Sequence, residues 1–148
     1  MKTKILFICH GNICRSPMAE FIAKSLDFNG DFEFASAAVS TEEIGNDMYP
    51  PAKRILSAHG IPFTHRAARQ MTRADYDYYY DYIICMDESN LRWLRYIVTE
   101  DTDHKISLLM HWAGKKRNVA DPWYTGDFET AYNDIWEGCN ALFAQLKA

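Results

Sequence analysis

One stretch, Cys9-His10-Gly11-Asn12-Ile13-Cys14-Arg15-Ser16-Pro17, constrains this chain more than any other. It follows the apolar run Ile5-Leu6-Phe7-Ile8 and precedes an apolar-periodic segment beginning at Met18. A strand, a tight loop and a helix follow from that order, with Ser16 as the expected N-cap and Pro17 as the expected first helical residue. A strand-to-helix loop of this kind can be an ordinary turn around a small buried thiol. It can also wrap a tetrahedral dianion, because its N–H groups turn inward, the helix N-terminus adds positive potential and Arg15 offers a two-pronged donor.

Beyond the loop, apolar runs alternate with helical periodicity. Lys4 to Cys9, Phe32 to Val39, Tyr82 to Met86 and Lys105 to Met110 read as strands. Helices are expected from Ser16 to about Asn29-Gly30, from Pro50 to Gly60, from Asp87–Ser89 through Ile97, and from Asp127 to Leu146. Thr72 should cap a short helical stretch with Asp75 three residues on, whereas Ser40 to Asn46, Ile61 to Gln70 and Ala120 to Gly126 read as loops. No repeat or linker interrupts residues 1–148. The expectation is an α/β fold: a single-domain, doubly wound, four-stranded parallel sheet with helices on both faces. Ligands in such folds bind beyond the carboxyl ends of the strands. Cys9, Asp87 and the loop after Met110 all fall there.

The composition narrows the partners. At 148 residues, with 48% apolar and 24% charged residues, the chain is long and apolar enough to bury a core. A net charge of -4 and a pI near 5.7 argue against nucleic acid as a partner. The basic cluster Lys115-Lys116-Arg117 is short and reads as a solvated loop or a local anion-steering patch. No export signal or membrane-length apolar run is visible, so a cytoplasmic monomer with no membrane partner is expected. Cys9, Cys14, Cys85 and Cys139 form no C-x-x-C pair and are expected to be free thiols, the last two as core fillers. The tyrosines between Tyr76 and Tyr82 read either as packing of a short helix or as a docking surface.

The loop residues point to phosphate chemistry. Gly11 accommodates positive φ and Asn12 tolerates it, as a concave nest of N–H groups requires. The pattern G-x-x-x-x-G-K-[ST] is missing, so the loop is not of the nucleotide-binding type. Thiolate and oxyanion favour the same surroundings, which makes Cys9 a candidate nucleophile that attacks phosphorus in line. Arg15 and the loop amides from His10, Gly11, Asn12, Ile13, Cys14 and Ser16 would neutralise the equatorial oxygens. Ser16 could hydrogen-bond the sulfur while capping its helix. The leaving group needs a proton, and Asp121-Pro122-Trp123-Tyr124 offers Asp121 as the acid, with Trp123 and Tyr124 as pocket walls. In isolation those four residues would read as an Asx-Pro turn.

Ile8 to Pro17 closely resembles the active-site loop of the low-molecular-weight protein tyrosine phosphatases. The likeness recurs, in the same order, in Tyr82-Ile83-Ile84-Cys85-Met86-Asp87-Glu88-Ser89-Asn90-Leu91 and in Asp121-Pro122-Trp123-Tyr124. The resemblance implies hydrolysis of phosphotyrosine and aryl phosphate monoesters, with a tyrosine-phosphorylated protein as partner and neither metal nor cofactor. It implies Cys9 as nucleophile, Arg15 as phosphate binder, and Asp121 as general acid and then as the base that activates water. By the same resemblance, Asn12 and Ser16, with Ser36 and His65, form the network that shapes the loop. Cys14 matches a cysteine that in this family can form a reversible disulfide with the nucleophile; a plain buried thiol is the alternative.

Three departures from the family pattern stand out. Ala35-Ser36-Ala37-Ala38 lacks the usual flanking aspartate and glycine. His65 precedes Arg66-Ala67-Ala68-Arg69-Gln70, one residue longer than the family's spacing. Where mammalian members carry an aromatic facing the substrate ring, this chain offers Glu42, which implies an acidic wall and weaker binding of simple aryl phosphates or a preference for basic flanking residues. Two rival functions share the loop. An arsenate reductase would need a thiol relay, which Cys85 inside a strand and the presence of Asp121 disfavour. A catalytically silent phosphate-binding regulatory module would show decay in Cys9, Arg15, Ser16 or Asp121, and none is seen.

Overall fold

The computed structural model describes residues 2–147. Four parallel strands, β1 (Thr3–Cys9), β2 (Phe32–Ala38), β3 (Tyr82–Cys85) and β4 (Ile106–Leu108), form one sheet in the order β2-β1-β3-β4. Alternate residues of β1 feed two separate cores. Ile5, Phe7 and Cys9 pack with Met18 and Ile22 of helix α1 (Arg15–Leu26) and with Ile135 and Leu142 of α6 (Phe128–Lys147). Leu6 and Ile8 pack on the opposite face with Tyr76, Leu94 and Val98. Helices therefore cover both faces, as the unbroken apolar run of β1 required. Ile5, Leu6, Phe7 and Ile8 are fully buried, and each such side chain contributes about 1.5–3 kcal/mol. The strand that ends at Cys9 is thus the best-anchored element of the sheet.

The chain leaves β1 on one side to form β2 and returns on the other to form β3. The strand order reverses at the carboxyl end of β1, which is where open α/β sheets bind their ligands. The Cys9 loop occupies that point, and β3 delivers Asp87 beside it as the N-cap of α3 (Glu88–Leu94).

Several element boundaries differ from the sequence expectation. Helix α1 begins at Arg15, so Ser16 and Pro17 lie inside its first turn, and Cys14 is an N-cap without a side-chain bond. Ser16 caps nothing because its hydroxyl is engaged elsewhere. The helix stops at Leu26, and Gly30, at φ 68°, belongs to the following turn. Helix α2 (Pro50–Ala58) starts at its proline pair and is closed by Gly60 at φ 71°, as expected. Thr72 and Asp75 bond reciprocally before a π-helical turn over Asp75–Tyr79.

The expected strand from Lys105 to Met110 is cut to Ile106–Leu108, and Leu109–Trp112 forms a short helix, α4. The reason is tertiary. Leu109 seats against Gly138 of α6 so closely that a Cβ there would lie 2.5 Å from its Cγ. The expected loop from Ala120 to Gly126 likewise contains a helical turn, α5 (Pro122–Thr125), capped by Asp121.

Candidate active site

The loop from Cys9 to Ser16 turns its carbonyls outward. The Cys9 and His10 oxygens accept from Val39 and Ser40 N–H at 3.1 Å, the Ile13 oxygen from Tyr49 N–H at 2.8 Å, and the Cys14 oxygen from Met18 N–H at 3.1 Å. The Ser40 hydroxyl also donates to the His10 carbonyl at 2.9 Å. With the carbonyls held by the surrounding backbone, the amide dipoles point in. The Asn12 N–H reaches the Cys9 Sγ at 3.3 Å. This is the polarity an oxyanion needs.

Asn12 makes the turn possible. Its φ is 61°, in the left-handed region that asparagine tolerates. Gly11 does not take positive φ, contrary to the sequence reading. Its missing side chain serves a close approach instead: a Cβ would lie 3.2 Å from Glu43 Cγ. Fully buried Asn12 donates through Nδ2 to Ser16 Oγ at 2.8 Å, and Ser16 Oγ lies 3.0 Å from Cys9 Sγ.

His65 takes no part in this network. Its ring is largely exposed and pairs with Asp47 at 3.0 Å. The next residue, Arg66, occupies the expected place, donating from Nη2 to Asn12 Oδ1. The Arg69 N–H reaches the same oxygen at 3.3 Å. Ser36 does not reach the loop either; its hydroxyl donates to Glu20 Oε1 at 2.6 Å. Burial pulls the Arg66 guanidinium below its ordinary range, and the charges of Glu20, Cys9 and Asp47 partly offset this.

Arg15 is almost wholly buried. Its Nη1 donates to Asp87 Oδ2 at 2.7 Å and to the Val119 carbonyl at 2.8 Å, and its Nη2 lies 3.4 Å from Asp121 Oδ2. Burial opposes its charge, but Cys9, Asp87 and Asp121 outweigh burial and hold the guanidinium above its ordinary range. Asp87 also caps α3, accepting from Asn90 N–H at 2.8 Å. One carboxylate therefore fixes both the helix and the arginine.

Asp121 is aimed by its own helical turn. Its Oδ1 accepts from Trp123 N–H at 3.1 Å, which leaves Oδ2 facing Arg15. Trp123 packs against Tyr49 with ring centres 4.8 Å apart and the planes tilted by 55°. One pocket gathers Cys9, His10, Gly11, Ile13, Cys14, Arg15, Glu42, Glu43, Asp121, Trp123 and Tyr124. Asn12 and Ser16 sit beneath it, buried, as supports of the sulfur rather than lining. Burial, reinforced by Cys9, pushes the Cys14 thiol up to about 12. No cluster of potential metal ligands occurs among the described residues.

The structure brings together the expected Cys9, Arg15, Asp121, Glu42, Trp123 and Tyr124, and it adds residues to which the sequence reading gave no role. Glu43 doubles the acidic wall. Tyr49 backs Trp123, Asp87 holds Arg15, and Arg66 anchors Asn12. Of these only Asp87 carried a sequence signal, its place at the end of a central strand.

Comparison with known proteins agrees with this geometry. A family described as low molecular weight phosphotyrosine protein phosphatase matches residues 4–148. The human low molecular weight phosphotyrosine protein phosphatase is 40% identical over 147 residues, covering 93% of this chain and 92% of that one. The crystal structure of YfkJ from Bacillus subtilis superposes with a TM-score of 0.93 at 36% identity, over 99% of this chain and 96% of the other. The crystal structure of a Drosophila protein named arginine phosphatase is also similar, with a TM-score of 0.88 and 32% identity over 100% of this chain and 99% of the other.

Proposed function

The chain belongs to the low molecular weight phosphotyrosine protein phosphatase family and is an enzyme of that class; on that premise we propose that Cys9, Arg15 and Asp121 carry out its reaction. The Cys9 thiolate attacks phosphorus in line, the P–O bond breaks, and Asp121 gives its proton to the leaving phenoxide. Arg15 and the inward amides hold the equatorial oxygens throughout. Phosphate competes with Asp121 for Arg15 Nη2 and so frees Asp121 Oδ2 for the leaving oxygen. Water then attacks the phosphocysteine, passes its proton to Asp121, and the S–P bond breaks to return the thiolate and inorganic phosphate.

The observation that carries this reading is the convergence of a sulfur, a buried guanidinium and a helix-capping carboxylate in one pocket. We place Trp123, Tyr124 and Tyr49 around the phenyl ring, and Glu42 and Glu43 opposite, where they favour basic residues beside the phosphotyrosine. Ser16 and Asn12 orient the sulfur. The same reading takes the protein as a monomer in a reducing cytoplasm, in keeping with its four free thiols.

Kinetics on aryl phosphates of graded leaving-group acidity test it. Cys9→Ser should abolish turnover. Asp121→Ala should lower kcat by roughly 10²–10⁴, least for the most acidic phenols. Wild-type protein that binds phosphate but hydrolyses nothing would overturn the proposal, as would arsenate reduction coupled to a thioredoxin. The name of the Drosophila relative, an arginine phosphatase, makes phosphoarginine the natural comparison substrate. The aromatic walls favour phosphotyrosine, so phosphoarginine turnover should be the slower.

A further inference from the structure

His10 is a wall of the pocket, yet it also starts a row of rings that leads away from it. Its imidazole meets Trp93 edge-on at 5.4 Å between centres, and Trp93 meets Tyr96 in the same manner at 6.1 Å. Trp93 and Tyr96 are 45% and 87% exposed. Ser89 and Arg92 join them around a shallow groove on α3. Arg92 is exposed and has no carboxylate within ion-pair distance among the described residues, although Glu88 lies one turn before it.

Nothing in the phosphoryl-transfer chemistry uses these side chains. Tryptophan, tyrosine and arginine are, however, the residue types that most often carry binding energy at interfaces. The groove is continuous with the catalytic mouth through His10, whose Nε2 also lies 3.1 Å from Glu42. The mouth is therefore divided: carboxylates on one side of His10, an unpaired guanidinium and two exposed rings on the other.

We propose that the α3 groove docks an acidic flank of the phosphotyrosyl polypeptide, with a substrate carboxylate on Arg92 and the adjoining chain lying over Trp93 and Tyr96. The proposal rests on the phosphatase reading and adds a substrate preference to it. The two ring-to-ring steps together span about what three extended residues span, at roughly 3.3–3.6 Å each. The docked acid then belongs to the first few residues beside the phosphotyrosine. An exposed guanidinium–carboxylate pair changes binding by up to about fivefold and weakens in salt.

The test compares kcat/KM for phosphotyrosyl peptides that differ only in a neutral, acidic or basic flank, placed before or after the phosphotyrosine, together with a small aryl phosphate. For wild type, one acidic-flank peptide should exceed the neutral one by about two- to fivefold at low salt. Arg92→Glu should abolish or reverse that preference, and Tyr96→Ala should lower kcat/KM on every peptide bearing that flank. Both variants should leave aryl phosphate hydrolysis unchanged. A wild type indifferent to acidic flanks, or a preference that survives Arg92→Glu, overturns the docking proposal while the phosphatase reading stands. Absence of aryl phosphate hydrolysis in wild type would overturn both.

Discussion

Replacing Arg66 by alanine should slow the chemical step while leaving the fold intact. Arg66 is joined to the nucleophile through two side chains: its Nη2 donates to Asn12 Oδ1, Asn12 Nδ2 donates to Ser16 Oγ at 2.8 Å, and Ser16 Oγ lies 3.0 Å from Cys9 Sγ. Asn12 holds a left-handed backbone at φ 61°, a conformation that costs a non-glycine residue of order 1 kcal/mol or more and persists only where its surroundings impose it. The charged hydrogen bond from Arg66 is one of those constraints, worth about 1.5–3 kcal/mol. The Arg69 N–H keeps Asn12 Oδ1 partnered at 3.3 Å, which places the loss near the lower limit. About 1.5 kcal/mol corresponds to roughly a tenfold fall in kcat, and 3 kcal/mol to roughly 150-fold. The effect should fall on kcat, because Arg66 touches the support of the sulfur and not the substrate. Steady-state kinetics on an aryl phosphate, with the melting temperature measured alongside, give the answer. Arg66→Lys, which keeps a cation without the planar fork, should recover part of the rate. A kcat within twofold of wild type, or a change confined to KM, would refute the reasoning.

Three further outcomes follow from the same contacts. Gly138→Ala should destabilise the protein by up to about 2 kcal/mol, because an overpacking cost of about 1–3 kcal/mol against Leu109 outweighs the gain in helix propensity of about 1 kcal/mol; a melting temperature at or above wild type would refute this, and adding Leu109→Ala should relieve part of the clash. Burial raises the Asp47 carboxyl, but hydrogen bonds from Lys53 and from the Met48 and Arg66 N–H groups outweigh it and hold that carboxyl well below its usual range. Its contribution is therefore present above the unfolded carboxylate pKa of about 4 and lost as pH falls below it. Urea unfolding of Asp47→Asn should show a deficit at neutral pH that begins to narrow as pH falls below about 4, and a deficit that widens in acid would contradict the assignment. Burial first, and Cys9 second, keep the Cys14 thiol protonated at neutral pH, and burial does the same for Cys85 and Cys139. Iodoacetamide should then label Cys9 alone, with phosphate protecting it, and peptide mapping that found Cys14 labelled ahead of Cys9 would count against this.

The parts of the site legible in the sequence were those built from contiguous residues. Cys9 to Ser16 announced its loop because a buried strand, a glycine-asparagine turn and a helix start stand side by side. Asp121 was legible because its proline and aromatics follow it directly and the alternation of strands and helices placed it on the same rim. Contacts between distant segments were hidden. Arg66 reaches Asn12 across 54 positions of chain and Arg15 reaches Asp87 across 72, and no local pattern encodes either. The contact of Ser16 with the Cys9 sulfur was legible and the loss of its expected helix cap was not. Its type and position suit a helix cap, but the buried sulfur and the Asn12 amide claim its hydroxyl. Lys105 to Met110 has strand-like composition throughout, yet packing of Leu109 against a glycine on another helix ends the strand at Leu108.

The central claim is that phosphate passes through a covalent bond to Cys9 under the control of Asp121. Intact-mass measurement of the Asp121→Ala variant, quenched in acid after mixing with a nitrophenyl phosphate, tests it most directly. Without the carboxylate to activate water, the intermediate should accumulate as a single phosphoryl adduct that fragments to Cys9 and is lacking in Cys9→Ser, alongside a burst of nitrophenol equal to the enzyme present. A phosphoryl group found on any other residue, or nitrophenol released by Cys9→Ser at the wild-type rate, would contradict the account.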